Sequence, residues 1–203
     1  MSGRVVIPQP RIYSCSEWGA RAAGPFSQGQ AGRSLVVHHM ANGNRALIAT
    51  EKGAVSYAFQ IARECQNLHM DGNGWRDTGQ SATISRDGII LEGRHGSLAA
   101  AQEGQAISWA HAADPDTGAN FNDCFGVEHE GNYILATTPV PDKLFNASVW
   151  LYAWLCQQYK VDSTAIISHK QTGCETDCCG YYPVKKLQEQ VHKMLLGEIK
   201  PHI

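Results

Sequence analysis

Two short apolar runs of this chain end in histidine, although they lie far apart in the sequence. The first run is LVVHH at positions 35–39, and the second is AIISH at positions 165–169. Short β-rich runs bounded by polar loops are typical of buried strands. If the two strands are placed side by side in one sheet, imidazoles from distant parts of the chain can face a common point.

A thiol lies close to the second histidine run, because Cys178 follows His169 by nine residues. Two imidazole nitrogens and one thiolate sulfur would leave a fourth position open. That is the ligand set of a catalytic zinc, whereas a closed structural site uses four protein ligands. On the first run, His39 competes with His38, since alternation along a strand turns the two side chains to opposite faces.

The composition limits the class of protein. The length of 203 residues is enough for one sizeable domain, and 43% hydrophobic with 18% charged residues is ordinary for a globular chain. The net charge of −2 and the lack of a basic run argue against nucleic acid or an anionic membrane surface as a partner. No apolar stretch approaches the ~18–20 residues of a membrane helix. We expect a monomer.

The seven cysteines are an odd number in a chain too long for a small disulfide scaffold. One thiolate on a metal would account for an unpaired cysteine. The N-terminal residues include no long apolar segment of the kind found in secretory signals. We therefore expect mostly reduced thiols and synthesis in the cytoplasm.

Periodicity and turn signals give an outline of the fold. They predict an irregular arm over 1–33 and a long loop over 95–122. The predicted strands are 34–39, 124–130, 164–169 and a hairpin within 81–94; the predicted helices are 47–69, 142–159 and 183–196. This order indicates a single α/β (α+β) domain built on one central sheet.

Six short motifs occur in an order that resembles a known family. They are SEWGAR at 16–21, VVHH at 36–39, GWRDTG at 74–79, RDG with LEGR at 86–94, FGVEHEGNY at 125–133, and SH with TDCCG between 168 and 180. In this order they resemble the zinc-dependent N-acetylmuramoyl-L-alanine amidases of the second type, which include phage endolysins, bacterial autolysins and animal peptidoglycan recognition proteins. The resemblance covers residues 16–195. It implies an arm over 1–15, an amidase domain over 16–203, and a mixed sheet flanked by helices with the metal at the floor of a groove.

The resemblance implies Zn²⁺ ligands at His38, His169 and Cys178. Cys179 stands where the family usually has proline, which leaves two adjacent thiols as possible ligands. Alignment of the Thr-x-Cys-x-Gly pattern favours Cys178.

Three further residues are expected to take part in amide hydrolysis. Zinc lowers the pKa of a water molecule toward ~7, and one carboxylate can accept a proton and later return it to the leaving amine. Glu128 stands where some family members carry a catalytic glutamate. Thr176 is expected to donate to the substrate carbonyl, and His111 is expected to contact the oxyanion or the peptide stem.

Substrate binding is expected from Trp75, Gln80, Arg94 and Trp109. Many family members carry a tyrosine where this chain has Gln80, and a glutamine cannot act as a base.

The resemblance implies a hydrolase that degrades bacterial peptidoglycan at the amide between N-acetylmuramic acid and L-alanine. A nearly stand-alone catalytic domain fits a bacteriolytic phage or prophage endolysin, and we expect it to reach the cell wall at host lysis or by non-classical export. The alternatives are a cytosolic amidase that recycles soluble anhydro-muropeptides and a non-catalytic recognition module. In the recycling amidases, the third metal ligand is usually aspartate. In the non-catalytic recognition modules, the metal-binding thiolate is typically lost.

Overall fold

The computed structural model of the chain describes residues 5–108 and 110–201. Five α-helices and ten short strands form within these ranges. The helices are α1 (Cys15–Trp18), α2 (Glu51–Asn67), α3 (Ser97–Gln102), α4 (Asp142–Tyr159) and α5 (Val184–Leu195). The strands are β1 (Ile12–Tyr13), β2 (Gln28–Gln30), β3 (Leu35–His39), β4 (Ala82–Ile84), β5 (Ile90–Glu92), β6 (Gln105–Ile107), β7 (Ala113–Asp114), β8 (Ala119–Asn120), β9 (Phe125–His129) and β10 (Ile166–Ser168).

Six strands form the central sheet in the order β1-β5-β4-β9-β3-β10. β4 and β5 are antiparallel, and every other neighbouring pair is parallel, so the sheet is mixed as the resemblance implies. β9, β3 and β10 are mutually parallel neighbours. Their carboxyl ends therefore meet at one edge of the sheet, where parallel sheets commonly bind ligands.

Different elements cover the two faces of the sheet. Successive side chains along a strand point to opposite faces, so β3 contributes residues to both. Leu35 and Val37 on β3 point into the main core, which they share with α4 and α5. Val36 points to the other face and packs with Ala112 and Cys124. That second face is also covered by α1 and α2, beside β5.

Most of the predicted elements are confirmed. α4 has the predicted bounds, and the hairpin of β4 and β5 lies within 81–94. α2 begins four residues later than predicted, because the Thr50 hydroxyl accepts a hydrogen bond from the Gly53 amide and caps the helix there. A π-helical turn over Leu68–Gly72 follows α2.

The prediction of a long loop over 95–122 was wrong. This segment contains α3, β6 and a small hairpin of β7 and β8. α3 is a single short stretch rich in alanine, the strongest helix former. It lacks the wide stripe of large apolar residues on which sequence periodicity depends, yet Ala100 and Ala101 are fully buried.

Residues 5–33 are also more ordered than predicted. Ile12 and Tyr13 pair with β5 at the edge of the sheet, and Trp18 of α1 is 1% exposed. A strand of two residues is too short to produce an alternating pattern in the sequence. The placement of a domain boundary at residue 16 stays a prediction. Among the described residues, no helix has both the length and the apolarity needed to cross a bilayer.

Candidate active site

The structure brings the three predicted metal ligands together. His38 lies on β3, His169 follows β10 directly, and Cys178 lies in the loop before α5. Their ligand atoms all lie within 4.8 Å of one another. The centroids of the two imidazole rings are 4.5 Å apart, and Cys178 Sγ lies 3.9 Å from His38 Nδ1.

Strand alternation decides between His38 and His39. The His38 ring is on the same face as His169 and Cys178, whereas the His39 ring lies near Tyr133 on the other face. There His39 Nδ1 accepts a hydrogen bond from the Tyr133 amide at 3.0 Å. The backbone amide of His39 still serves the site, because it donates to Cys178 Sγ at 3.4 Å.

Burial decides between the two adjacent cysteines. Cys179 is 1% exposed and belongs to the main hydrophobic core. Cys178 is directed at His38, and two backbone hydrogen bonds fix its position: its carbonyl accepts from the Lys170 amide at 2.8 Å, and its own amide donates to Thr176 Oγ1 at 3.1 Å. Cys178 is therefore the thiol that this geometry offers to a metal.

The donor set and its electrostatics fit a zinc ion. Two nitrogens and one sulfur are the ligands of many zinc sites, and tetrahedral Zn–N and Zn–S bonds place N and S about 3.6 Å apart. The observed separation of 3.9 Å between Cys178 Sγ and His38 Nδ1 is close to that spacing. Burial and the nearby charge of Glu128 raise the pKa of the Cys178 thiol. A cation between these ligands would counter both effects and favour the thiolate.

Glu128 lies beside this cluster on β9. It is paired in register with His38 on β3 and with Thr83 on β4, so the three side chains share one face of the sheet. Burial raises the pKa of the Glu128 carboxyl to about 7. A carboxyl with such a pKa can both accept and return a proton near neutral pH.

The next carboxylate on this strand has a structural role. Glu130 is fully buried and forms an ion pair with Arg45, 2.8 Å from Glu130 Oε1 to Arg45 Nε. Its other oxygen accepts from the Arg86 amide at 2.7 Å. Arg45 also pairs with Asp87 at 2.7 Å, so this buried cluster fixes the loop that follows β3.

Comparison with known proteins identifies the family. The model of the N-acetylmuramoyl-L-alanine amidase family matches residues 28–181, about three quarters of the chain. This chain belongs to that amidase family. Peptidoglycan-recognition protein SC2 of Drosophila melanogaster is 30% identical over 172 residues, which cover 83% of this chain and 80% of the relative. The Drosophila simulans protein of the same name is 29% identical over 171 residues, with the same coverage.

Two solved structures show the same fold. Drosophila PGRP-LB superposes with a TM-score of 0.67 at 23% identity, over 90% of this chain and 95% of the other. The endolysin N-acetylmuramoyl-L-alanine amidase LysCS from Clostridium intestinale superposes with a TM-score of 0.65 at 21% identity, over 91% and 97% of the two chains. The amidase fold of this chain is thus shared by recognition proteins and by an endolysin.

His111 contacts His38, one of the three candidate metal ligands. Its Nδ1 lies 3.1 Å from His38 Nε2, and its Nε2 lies 2.9 Å from the Cys124 carbonyl oxygen. Burial lowers the pKa of His111 to about 3, so the ring is neutral at physiological pH. Because both ring nitrogens are engaged, the predicted contact with an oxyanion or a peptide stem does not fit this geometry.

Thr176 lies at the surface of the loop that carries Cys178. Its hydroxyl oxygen accepts the hydrogen bond from the Cys178 amide, which leaves the hydroxyl hydrogen free to donate elsewhere. The side chain also lines an open cleft of about 480 Å³. Its role as a donor to the substrate carbonyl stays a prediction.

Two of the predicted groove residues are buried and cannot touch a substrate at the surface. Arg94 is 0% exposed, and its guanidinium donates to the carbonyl oxygens of Thr78, Gly79 and Ile107. Gln80 is 2% exposed, and its side-chain amide lies 3.3 Å from Cys65 Sγ. Both were predicted from motif position alone, which does not reveal burial. Arg94 instead holds the segment after α2 in place through its hydrogen bonds to Thr78 and Gly79.

Of the two tryptophans predicted to bind substrate, Trp75 lies within the described residues. Trp75 is partly exposed, and its ring packs against His69 with centroids 4.9 Å apart. Its role in substrate binding stays a prediction. Trp109 lies outside the described residues.

A second cleft at the same edge of the sheet was not anticipated from the sequence. It has a volume of about 430 Å³ and lies between the loops that follow β3 and β9. Its lining combines asparagines with exposed apolar side chains and includes Asn42, Asn44, Asn132, Ile134 and Leu135. The loops contain no strand or helix pattern, so their convergence depends on the parallel register of the strands before them.

The buried histidines predict that stability falls in acid. Burial lowers the pKa of His129 to about 4, that of His111 to about 3, and that of His38 well below its usual 6.5. At these histidines the folded chain therefore binds fewer protons than the unfolded chain below pH ~6.5, whereas Glu128, with its raised pKa, has the opposite effect. His111 and His129 should each make the free energy of unfolding decrease by about 1.4 kcal/mol per pH unit as the pH falls from ~6 to ~5.

Urea denaturation of the metal-free protein at pH 7.5, 6.0 and 5.0 tests this expectation. His111→Gln should reduce the slope by about one proton, whatever its effect on stability at pH 7.5. A free energy of unfolding that stays constant from pH 6.5 to pH 5 would contradict the neutral, buried state of these rings.

Proposed function

We propose that this chain is a zinc-dependent hydrolase that cleaves the amide between N-acetylmuramic acid and L-alanine of bacterial peptidoglycan. One observation carries the proposal: His38, His169 and Cys178 converge beside Glu128 on one face of the sheet. Membership of the N-acetylmuramoyl-L-alanine amidase family supports the same bond as the target. A closed structural site would need a fourth protein ligand.

His38, His169 and Cys178 would hold the zinc ion. Bound there, zinc supplies the Lewis acid that makes a water molecule acidic enough to react and polarises the amide carbonyl. The His39 amide and the Lys170 amide keep the Cys178 loop in place through hydrogen bonds to the Cys178 sulfur and carbonyl.

Glu128 would move the protons of the reaction. Its carboxylate accepts the proton of the attacking water, and the resulting acid gives a proton to the departing amine of L-alanine. The Thr176 hydroxyl would donate to the developing negative charge on the carbonyl oxygen. The second cleft, with its mixture of amide and apolar side chains, has the chemistry to bind a sugar and peptide chain.

Digestion of purified bacterial sacculi tests the proposed bond. Mass spectrometry should find free L-alanine amino termini and intact glycan strands, and a chelator should stop the reaction. Metal analysis of the purified chain should find about one zinc per molecule. Bound zinc without any new amino termini would reject hydrolysis and favour a recognition module, the class in which the curated relatives are named.

The biological setting has two candidates. An endolysin that acts on the host wall is supported by the structural match to LysCS. A recycling enzyme for soluble muropeptides is favoured by Glu128, and a PGRP-LB variant of the same fold is known in complex with tracheal cytotoxin. Cleavage of intact sacculi by this chain, with little cleavage of soluble anhydro-muropeptides, would support the endolysin. The reverse preference would support recycling.

A further inference from the structure

A chain of hydrogen bonds links a backbone carbonyl to the proposed metal site. A carbonyl oxygen can only accept, so His111 Nε2, 2.9 Å from the Cys124 oxygen, must carry a hydrogen. In a neutral imidazole the other nitrogen then has a lone pair. His111 Nδ1 therefore accepts, and its neighbour at 3.1 Å, His38 Nε2, must donate.

We infer that His111 is a positioning residue that fixes the tautomer of His38. With hydrogen on Nε2, His38 keeps the lone pair on Nδ1, the nitrogen that faces Cys178 Sγ at 3.9 Å. A metal can bind only the nitrogen that has the lone pair. The opposite tautomer would put a hydrogen between the imidazole and the thiol. The inference rests on the proposed metal site, and it replaces the substrate contact predicted for His111.

The surroundings of His111 are built to hold this ring. Asn122 Oδ1 accepts hydrogen bonds from the amides of both His111 and Ala112, each at 2.9 Å. The ring lies against Gly126 of β9, where a Cβ atom would be 2.7 Å from His111 Nδ1. Real Cβ atoms do not come that close, so any larger residue at 126 would displace the ring. Glycine within a strand often marks a close approach of this kind.

The His38 backbone is fixed from the opposite face as well. His129 Nδ1 donates to the His38 carbonyl oxygen at 2.8 Å. His111 and His38 also meet edge to face, with ring centroids 5.2 Å apart and planes at 80°. His111 thus controls both the proton position and the plane of the His38 ring, as outer partners of metal-binding histidines commonly do.

Two variants of His111 separate its two hydrogen bonds, the one that it accepts from His38 and the one that it donates to the Cys124 carbonyl. In His111→Asn, the side-chain amide reaches the position of Nδ1 and can still accept from His38, but it cannot reach Cys124. In His111→Gln, the amide reaches the position of Nε2 and can bond Cys124, but nothing accepts from His38. The pair has similar size and polarity, so a purely structural role would not distinguish them in the expected direction.

The test reads the tautomer directly and needs neither substrate nor metal. Long-range ¹H–¹⁵N correlation spectra of the metal-free full chain should show His38 with hydrogen on Nε2 in the wild type and in His111→Asn. His111→Gln should show a mixture. Zinc affinity, measured by competition with a chelating dye, should fall about 10–100-fold in His111→Gln and less in His111→Asn.

Several results would overturn the inference. Hydrogen on Nδ1 of His38 in the wild type would do so, as would an unchanged tautomer and an unchanged zinc affinity in His111→Gln. If the tautomers follow the expected pattern but sacculi are not cleaved, the inference stands and the proposed function fails. Thermal unfolding of each variant confirms that the spectra come from folded protein.

Discussion

Replacing Cys178 with serine is expected to abolish high-affinity zinc binding and peptidoglycan cleavage together. A serine hydroxyl stays protonated at neutral pH, whereas a metal-bound cysteine is a thiolate. Removing a direct ligand should reduce zinc affinity by more than the ~10–100-fold that is typical for an outer partner. Competition with a chelating dye measures the affinity, and amine release from sacculi measures the activity.

Cys179→Ala is the matched control, because it removes the neighbouring thiol. Cys179 is 1% exposed in the core, so its loss should lower stability slightly and leave zinc content and specific activity near those of the wild type. A Cys178→Ser protein with full zinc and full activity would show that the geometry assigned the wrong thiol. The same conclusion would follow if Cys179→Ala lost zinc while it remained folded.

Replacing Glu128 with glutamine is expected to leave zinc bound and to slow hydrolysis by about 10²–10⁴-fold. Glutamine has almost the same shape as glutamate but cannot accept the water proton. The fall should appear in kcat, with little change in KM, because the carboxylate handles protons and does not hold the substrate. Kinetics on soluble muropeptide fragments would measure both constants.

Glu175→Gln is the control for a general loss of negative charge near the site. Glu175 is exposed on the loop that carries Cys178. Its hydrogen bond to the Asp114 carboxylate, at 2.7 Å, is donated by the Glu175 backbone amide and does not involve the side chain. We expect its kcat and zinc content to match those of the wild type. If Glu128→Gln kept full kcat, the proton transfers would have to be assigned to another group.

Local pattern was sufficient for most of the secondary structure. The apolar run before His38 predicted β3, and the spacing of large apolar residues gave α4 its bounds. Patterns failed where an element was too short or its side chains too small. β1 has two residues, and α3 buries alanines, so neither produces a periodicity that stands out.

Motif order predicted which residues meet but not what each one touches. Arg94 and Gln80 occupy motif positions beside the site, yet both are buried and bond to neighbouring segments of the chain. His111 was expected at the substrate and lies instead against His38. Gly126 was the sequence feature that could have indicated the position of the His111 ring, because a glycine inside a strand often marks the close approach of another group.

By itself, the sequence predicted the types of the candidate metal ligands, the position of the two histidines at strand ends, and the family. A five-residue strand that ends in histidine carries that information locally, because alternation and burial act over neighbouring residues. Only the tertiary structure decided that Cys178 faces the site while Cys179 enters the core, and that His111 bonds to His38. Those outcomes depend on how parallel strands and the loops between them converge from positions more than 70 residues apart, and contacts at such separation leave no periodic trace in the chain.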